Sequence, residues 1–254
     1  MEGKQTYSQL ADRYGCSKRT IQRYLDKAMI TRNNEFSSVA NVLMDTTYFG
    51  RNFGVMVFKN SLDGKILLTK FVTKETIKDY EKGIYEIVSR GISVQAIICD
   101  GFRGVINTFP EIPVQICQFH QIKTITKYLT KKPKLLAAIE LRELALKLTK
   151  CKEEDFTNLL DKWYNKWEDV LDERTKNIET GKTFYTHKKL RSAYRSLRSN
   201  IYHLFVFEHY PKLCIPNTTN AIDGQFSDLK NKLHNHNGLN IERKKRLINE
   251  YFKA

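Results

Sequence analysis

Two aspartates stand in or beside apolar segments, where a carboxylate needs a partner. Asp45 lies within the run VLMDTTYF (42–49), and Asp100 directly follows VQAIIC (94–99). A charged carboxylate in an apolar strand is costly unless it is paired or binds a metal ion. A cap or turn is the alternative, which suits Asp100 because Gly101 follows it and suits Asp45 poorly. The pattern therefore favours a paired or metal-bound carboxylate at Asp45.

Carboxylates held in this way suit the cleavage of a phosphodiester bond. In-line attack needs an activated water and a stabilised leaving oxygen, and two Mg²⁺ ions about 4 Å apart can serve both ends of the reaction. Magnesium prefers oxygen ligands, whereas His and Cys side chains favour zinc. The residue types therefore predict two ions of Mg²⁺ or Mn²⁺.

The segment QICQFHQ (115–121) adds a Cys-x-x-His pair, Cys117 and His120. In a structural interpretation, Cys117 ends a buried strand, His120 begins a helix, and the two side chains pack or hydrogen-bond. In a functional one, they shape the catalytic site or contact the scissile phosphate. Zinc binding is a third interpretation, but zinc needs about four ligands, and the sequence offers no second pair of suitable spacing.

The net charge predicts a polyanionic partner. Lys and Arg number 43 against 28 Asp and Glu, a formal charge of +15, and such an excess favours nucleic acid through counterion release. Two stretches without any acid, 112–139 and 182–200, concentrate the basic residues. The five scattered cysteines do not predict a disulfide framework. No apolar run is long enough for a membrane span, so we expect a cytoplasmic protein.

Residues 4–28 predict two short helices joined by a tight turn. Gly15 ends the first helix, and Ser17 can cap the second. The spacing of Ala11, Gly15 and Ile21 resembles the helix-turn-helix pattern, in which a small residue lets the helices approach and glycine permits the turn. An ordinary helical hairpin is the alternative. The apolar positions of the two helices are Leu10, Ala11, Tyr14, Ile21 and Leu25.

The second of these helices exposes polar and basic side chains that suit phosphates and major-groove base edges. We therefore predict that residues 1–33 form a helix-turn-helix DNA-binding domain. Its predicted DNA-binding residues are Lys18, Arg19, Thr20, Gln22 and Arg23.

The next part of the chain predicts an α/β fold with a mixed sheet. Strands are indicated at 42–49, 53–59, 65–72, 94–99 and 113–117, and a helix at 76–90. The 122 residues between Asp100 and Asp223 are far more than a loop and predict an all-α insertion at about 131–212. Arg191, Arg195 and Arg198 follow one side of its last helix, and since no acid lies between them we predict contacts with DNA phosphates; a solvated basic face is the alternative.

Four stretches resemble the insertion-sequence transposases of the Mutator-like superfamily, over roughly 210 of the 254 residues. The stretches are LMDTTYFGRNFGVMVF (43–58), IICDGFRG (97–104), QICQFHQ (115–121) and PNTTNAIDGQFSDLKNKLHNHNGL (216–239). The resemblance implies an RNase H-like catalytic domain at 39–254, preceded by the small all-α helix-turn-helix domain.

The resemblance also implies a catalytic triad of two aspartates and a glutamate, a DDE/D-type enzyme. Asp45 and Asp100 match the first two, and Asp223 stands where the family has Glu. Aspartate is one methylene shorter, so its oxygens reach roughly 1.5 Å less, and metal sites tolerate little misplacement. Asp45, Asp100 and Asp223 are thus the predicted catalytic and metal-binding residues.

The predicted function is a transposase that nicks DNA at element ends and joins the freed 3′-OH to target DNA. The alternatives are a decayed or domesticated transposase that only binds DNA, and a nuclease of the same fold that does not transpose. The partners implied are the element ends, the target DNA and further copies of the chain, in a bacterial cytoplasm at the nucleoid.

Overall fold

The computed structural model of the protein describes residues 5–27, 37–51, 53–235 and 238–253. By their contacts, the residues form two compact units, Met1–Glu35 with Asp228–Ala254, and Phe36–Ser227. The predicted domain of residues 1–33 lies partly outside the described residues, at 1–4 and 28–33.

The first unit begins with two helices, α1 (Tyr7–Tyr14) and α2 (Lys18–Lys27). Gly15 ends α1 in the left-handed conformation at φ 61°, which glycine adopts without steric cost. The Ser17 hydroxyl accepts a hydrogen bond from the Thr20 amide at 3.1 Å and so caps α2. The predicted apolar role of Tyr14 and Leu25 is wrong, because 64% and 48% of their surfaces are exposed.

The first unit also contains the C-terminal helix α11 (Ile241–Lys253). Its Arg243 guanidinium donates to the Asp26 carboxylate of α2 at 2.9 Å, and Tyr251 donates to Asp228 at 2.8 Å. These contacts join the end of the chain to its beginning, and the catalytic domain of residues 39–254 stays a prediction.

The second unit is built on a five-stranded mixed sheet, as predicted. Its strands are β1 (Val39–Phe49), β2 (Phe53–Asn60), β3 (Ile66–Val72), β4 (Ser93–Cys99) and β5 (Val114–Ile116), in the order β3-β2-β1-β4-β5. The first three pair antiparallel, whereas β4 runs parallel to β1 and to β5. The parallel pairing requires crossovers, and α3 (Ile77–Ser89) supplies the one from β3 to β4.

The two faces of the sheet are distinguished by the alternation of side chains along each strand. Val42 and Met44 of β1 join a buried cluster that includes Phe58 of β2 and Tyr80 and Ile84 of α3. The side chains between them, those of Leu43 and Asp45, therefore point to the opposite face. Asp45 is thus directed away from the main core of the sheet.

A mainly helical region follows β5 and has a core of its own. Its helices are α5 (Gln118–Leu129), α6 (Leu136–Leu146), α7 (Glu153–Asp172), α8 (Lys188–Leu204) and α9 (Val206–His209). Trp163 is buried in this core and Trp167 packs against it. The short helix α4 (Val105–Thr108) precedes β5 and packs in the core of the sheet.

The prediction that the insertion is all-α is wrong in one respect. Residues Arg174–Lys176 (β6) and Thr183–Tyr185 (β7) pair as a short antiparallel hairpin between α7 and α8. Each strand of the hairpin has only three residues, and its side chains are mostly exposed. The sequence therefore shows no apolar alternation from which the hairpin could be predicted. No described helix is long and apolar enough to span a membrane.

Candidate metal centre

The register of the sheet brings Asp45 and Asp100 to the same level of adjacent strands. Leu43 of β1 pairs with Ile98 of the parallel β4, so two residues further along each chain lie Asp45 and Asp100. Adjacent strands are separated by roughly 4.8 Å. Asp45 is buried, with 8% of its surface exposed, while Asp100 begins the turn after β4 and its carboxylate accepts from the Phe102 amide at 2.9 Å.

The third predicted ligand, Asp223, lies in the first turn of α10 (Asn220–His234). One potential ligand atom from each of Asp45, Asp223 and His120 lies within 4.8 Å of the others. The third member of this cluster is therefore the His120 imidazole. Asp100 lies beside the cluster, at the end of β4. The sequence had suggested His120 as a site-shaping residue, without indicating that it would stand so close to both carboxylates.

Hydrogen bonds around Thr219 hold the starts of α5 and α10 together. The Thr219 amide donates to the Cys117 Sγ at 3.3 Å, and its hydroxyl lies 3.3 Å from His120 Nδ1 and 3.5 Å from Asp223 Oδ2. Beside it, the Gln118 amide donates to the Asn217 carbonyl at 3.0 Å. These bonds fix His120 and Asp223 relative to each other. No local pattern around Thr219 predicts this role.

The surroundings of the Asp45 carboxyl disfavour its ionised form. Burial, and then the nearby charge of Asp100, raise its pKa to about 7, with a smaller contribution from Asp223. The Thr46 amide and His120 act in the opposite direction. Crowding of carboxylates around a buried one is destabilising unless a cation neutralises it.

Cys117 and His120 form a polar pair next to these carboxylates. Burial opposes ionisation of the Cys117 thiol, but hydrogen bonds with His120 and Thr219 outweigh it and lower its pKa. The hydrogen bond with Cys117 raises the pKa of His120, against the effect of burial. Cys117 is thus engaged with His120 and Thr219, an arrangement in which the thiol orients the imidazole.

The residues present fit a divalent cation. Two carboxylates and an imidazole can each offer a ligand atom at one point, and a bound cation would offset the burial and the repulsion from Asp100 that together raise the pKa of Asp45 to about 7. The carboxylate oxygens suit hard divalent ions such as Mg²⁺, and an imidazole nitrogen is a ligand for transition-metal ions. Asp100 adds a further carboxylate on the side of β4.

A further acid, Glu75, lies beside this cluster and had no signal in the sequence. Tyr80 donates a hydrogen bond to the Glu75 carboxylate, and the Tyr80 hydroxyl lies 3.3 Å from that of Thr46, which follows Asp45. Burial, and to a lesser extent the charge of Asp100, raise the pKa of Glu75, although the Tyr80 hydrogen bond opposes the rise. The acid precedes α3 in a polar turn, where neither periodicity nor spacing distinguishes it.

Lys59 of β2 is a buried cation that supports α10 next to Asp223. Only 8% of its surface is exposed, and its ammonium donates to the Gln225 side chain at 3.1 Å and to the Ala221 carbonyl at 3.4 Å. Burial lowers the pKa of Lys59. Its two acceptors flank Asp223 in sequence, so the ammonium holds the turn of α10 that carries this acid.

We expect Lys59→Met to raise about tenfold or more the concentration of divalent metal needed for half-maximal binding at this centre. Methionine keeps much of the apolar stem but cannot bond α10, and metal sites tolerate little misplacement of their ligands. Metal titrations followed by thermal unfolding would measure the effect. Lys65→Met, at an exposed residue before β3, is the control, and equal behaviour of the two variants would contradict the supporting role.

The residues predicted to bind DNA from the N-terminal unit are on its surface. Lys18, Arg19 and Arg23 of α2 are exposed, while Thr20 and Gln22 are half-buried. The Thr20 hydroxyl lies 2.9 Å from that of Ser17, so Thr20 also takes part in capping the helix. The basic side chains thus remain accessible, and their contact with DNA stays a prediction.

The predicted basic track on α8 is largely paired with acids of α7. Arg191 donates to Asp172 at 2.5 Å, and Arg198 lies 3.0 Å from Asp161. The absence of acids within the α8 sequence therefore did not mean that these arginines lack partners, because packing of α7 against α8 supplies them. Arg195 is exposed, and it remains the better candidate of the three for contact with phosphate.

Comparison with known proteins identifies the family. The model of the family described as "Transposase, Mutator family" matches residues 61–201, more than half of the chain. The match includes Asp100, Cys117 and His120, while Asp45 and Asp223 lie outside it. The chain matches no curated protein sequence. Because the family model covers more than half of the chain, the chain belongs to the Mutator family of transposases.

Proposed function

We propose that this transposase is a DDE/D-type enzyme with an RNase H-like catalytic domain, which nicks DNA at the ends of an insertion element and joins the freed 3′-OH to target DNA. The observation that carries the proposal is the meeting of Asp45, Asp223 and His120 within 4.8 Å, beside Asp100 at the end of the adjacent strand. Such a cluster of acids serves phosphodiester chemistry in the presence of divalent ions.

In this proposal, Asp45, Asp100 and Asp223 hold the metal ions. Bound Mg²⁺ or Mn²⁺ would supply an activated water or 3′-OH and stabilise the leaving oxygen. Asp45 and Asp100 act from a rigid sheet, and Asp223 acts from a helix that Lys59 anchors to that sheet. His120, oriented by Cys117 and Thr219, adds a donor on the side of Asp223.

DNA is recognised in this proposal by the helix-turn-helix of the first unit. Exposed Lys18, Arg19 and Arg23 on α2 suit binding to phosphates and base edges. Two element ends and the target must be handled together, so we propose that copies of the chain assemble on DNA.

A second candidate function, DNA binding without catalysis, is favoured by Asp223, which is shorter than the glutamate implied by the resemblance. The test is nicking of a duplex that carries the ends of the element, in Mg²⁺ and in Mn²⁺, by the wild type and by Asp223→Glu. Metal-dependent nicking by the wild type supports the enzyme. A folded wild type that binds these ends but does not nick them would overturn the enzyme and leave the DNA-binding protein.

We expect Asp223→Glu to nick more slowly than the wild type. The Asp223 carboxylate lies 3.5 Å from the Thr219 hydroxyl and within 4.8 Å of the Asp45 and His120 ligand atoms, so its neighbours already suit the shorter acid. A side chain roughly 1.5 Å longer would displace these groups. Faster nicking by the variant, measured as the initial rate at saturating metal, would instead identify Asp223 as a partly decayed position.

A further inference from the structure

The helical region of the second unit contains a groove away from the acids of the metal centre. It lies between the loop after α5 and the β6–β7 hairpin with the start of α8, and its volume is about 560 Å³. Lys132 and Lys134 stand on one wall, and Phe184, Lys188 and Lys189 on the other. We refer to it as the lysine groove.

The charge of the lysine groove is of one sign. None of the described residues that line it is an aspartate or glutamate. All four lysines are exposed, and within the described part of the chain none of them forms an ion pair. His187, at the edge, pairs with Glu173 at 3.0 Å. Four ammonium groups without a carboxylate partner attract a polyanion that enters the groove.

An aromatic ring lies among these lysines. Phe184 of β7 keeps 37% of its surface exposed, and the Lys188 ammonium lies 4.3 Å from the centre of its ring. The neighbouring Tyr185 is half-buried, and two guanidinium groups, those of Arg174 and Arg191, lie 4.4 Å and 3.6 Å from the centre of its ring. Tyr185 therefore secures the hairpin, whereas Phe184, with a single ammonium beside it and the larger exposure, is the ring that a ligand can reach.

We propose that the lysine groove binds a single-stranded segment of DNA, with an unpaired base against Phe184 and its phosphates beside the four lysines. The choice of DNA as the ligand rests on the proposed function, whereas the assignment of the groove as a binding site rests on its charge and shape. A concave, positively charged channel with an exposed aromatic ring is the arrangement that binds single strands. A duplex keeps its base faces stacked and cannot offer one to the ring. The protein would thus hold strands that are unpaired near a cleaved end.

The first test is the affinity of the full-length protein for a fluorescent oligothymidylate of about 12 nucleotides, by anisotropy without divalent metal. We expect Phe184→Ala to weaken binding about tenfold, because base stacking on an aromatic ring is lost, and Phe184→Tyr to retain it. Lys132→Ala with Lys134→Ala should reduce the salt slope by about 1.4, at about 0.7 per phosphate contact on a single strand.

The matched control is the double variant Lys147→Ala with Lys162→Ala. These lysines line a second groove of about 290 Å³ that also contains Glu140 and Glu143, so the control removes the same net charge elsewhere. Single-strand binding that is unchanged in folded Phe184→Ala, or weakened equally by both double variants, would overturn the proposal. So would tenfold tighter binding to an oligouridylate RNA of the same length.

The second test locates the strand directly. An oligonucleotide with one 5-iodouracil, irradiated with the wild type, should crosslink to the peptide that contains Phe184, as identified by mass spectrometry. Crosslinks that map only to the first unit would overturn the proposal. Because neither test requires nicking, an inactive protein that gives the Phe184 crosslink would contradict the proposed enzyme while supporting the lysine groove.

Discussion

Asp45→Asn and Asp100→Asn are each expected to lower metal-dependent nicking by at least about a thousandfold, because a bound divalent ion contributes several kcal/mol of transition-state stabilisation. The amide keeps the shape of each side chain and removes the negative charge that attracts the cation. At Asp45, where burial and Asp100 raise the carboxyl pKa to about 7, the neutral amide also relieves repulsion. The folded state should therefore be no less stable than that of the wild type.

The measurement combines a nicking assay with thermal unfolding, in the presence and absence of Mn²⁺. The wild type should gain stability from the ion by linkage, and neither Asn variant should gain as much. Asp169→Asn, at an exposed residue of α7, serves as the control and should nick normally. Nicking by Asp45→Asn at a rate near that of the wild type would refute the assignment of Asp45 as a metal ligand.

Arg19→Ala combined with Arg23→Ala is expected to weaken binding of a duplex element end by about 10-fold to 100-fold, since each charged hydrogen bond to phosphate contributes about 1 kcal/mol or more. Both side chains are exposed on α2. If both touch phosphates, the slope of log affinity against log salt should fall by about 1.8, at about 0.9 for each contact on a duplex.

The control for this pair is again Lys147→Ala with Lys162→Ala, which reduces the net charge equally from the residue after α6 and from α7. Its salt slope should stay close to that of the wild type, because these lysines share their groove with Glu140 and Glu143. If both double variants lose the same affinity for the duplex, the total charge determines duplex binding. That result would contradict the role of α2 in DNA recognition. Circular dichroism and thermal unfolding would check that the variant keeps the helix content and stability of the wild type.

Much of the fold could be predicted because it depends on short-range patterns. Alternating and apolar runs located the strands of the sheet to within a few residues, since the pattern reflects the period of a strand. Gly15 and Ser17 marked the turn between α1 and α2 for a similarly local reason: one permits a left-handed backbone and the other caps a helix.

Contacts between distant segments could not be predicted in this way. The pairing of Arg191 with Asp172 and of Arg198 with Asp161 joins two helices, whereas the acid-free sequence of α8 suggested unpaired cations. The bond from Arg243 to Asp26 likewise joins the two ends of the chain. Helix periodicity says which residues share a face, but it does not say which other helix will cover that face.

The sequence by itself determined that Asp45 lies in an apolar strand, that Asp100 follows another, and that Asp223 begins a helix, because each depends on neighbours within a few residues. Only the tertiary structure decided that His120 stands within 4.8 Å of Asp45 and Asp223, that Glu75 lies within the electrostatic reach of Asp100, and that Phe184 lies among four lysines. The reason is that these distances are set by how the helices pack on the sheet and on one another. That packing is the sum of many long-range contacts which no local spacing records.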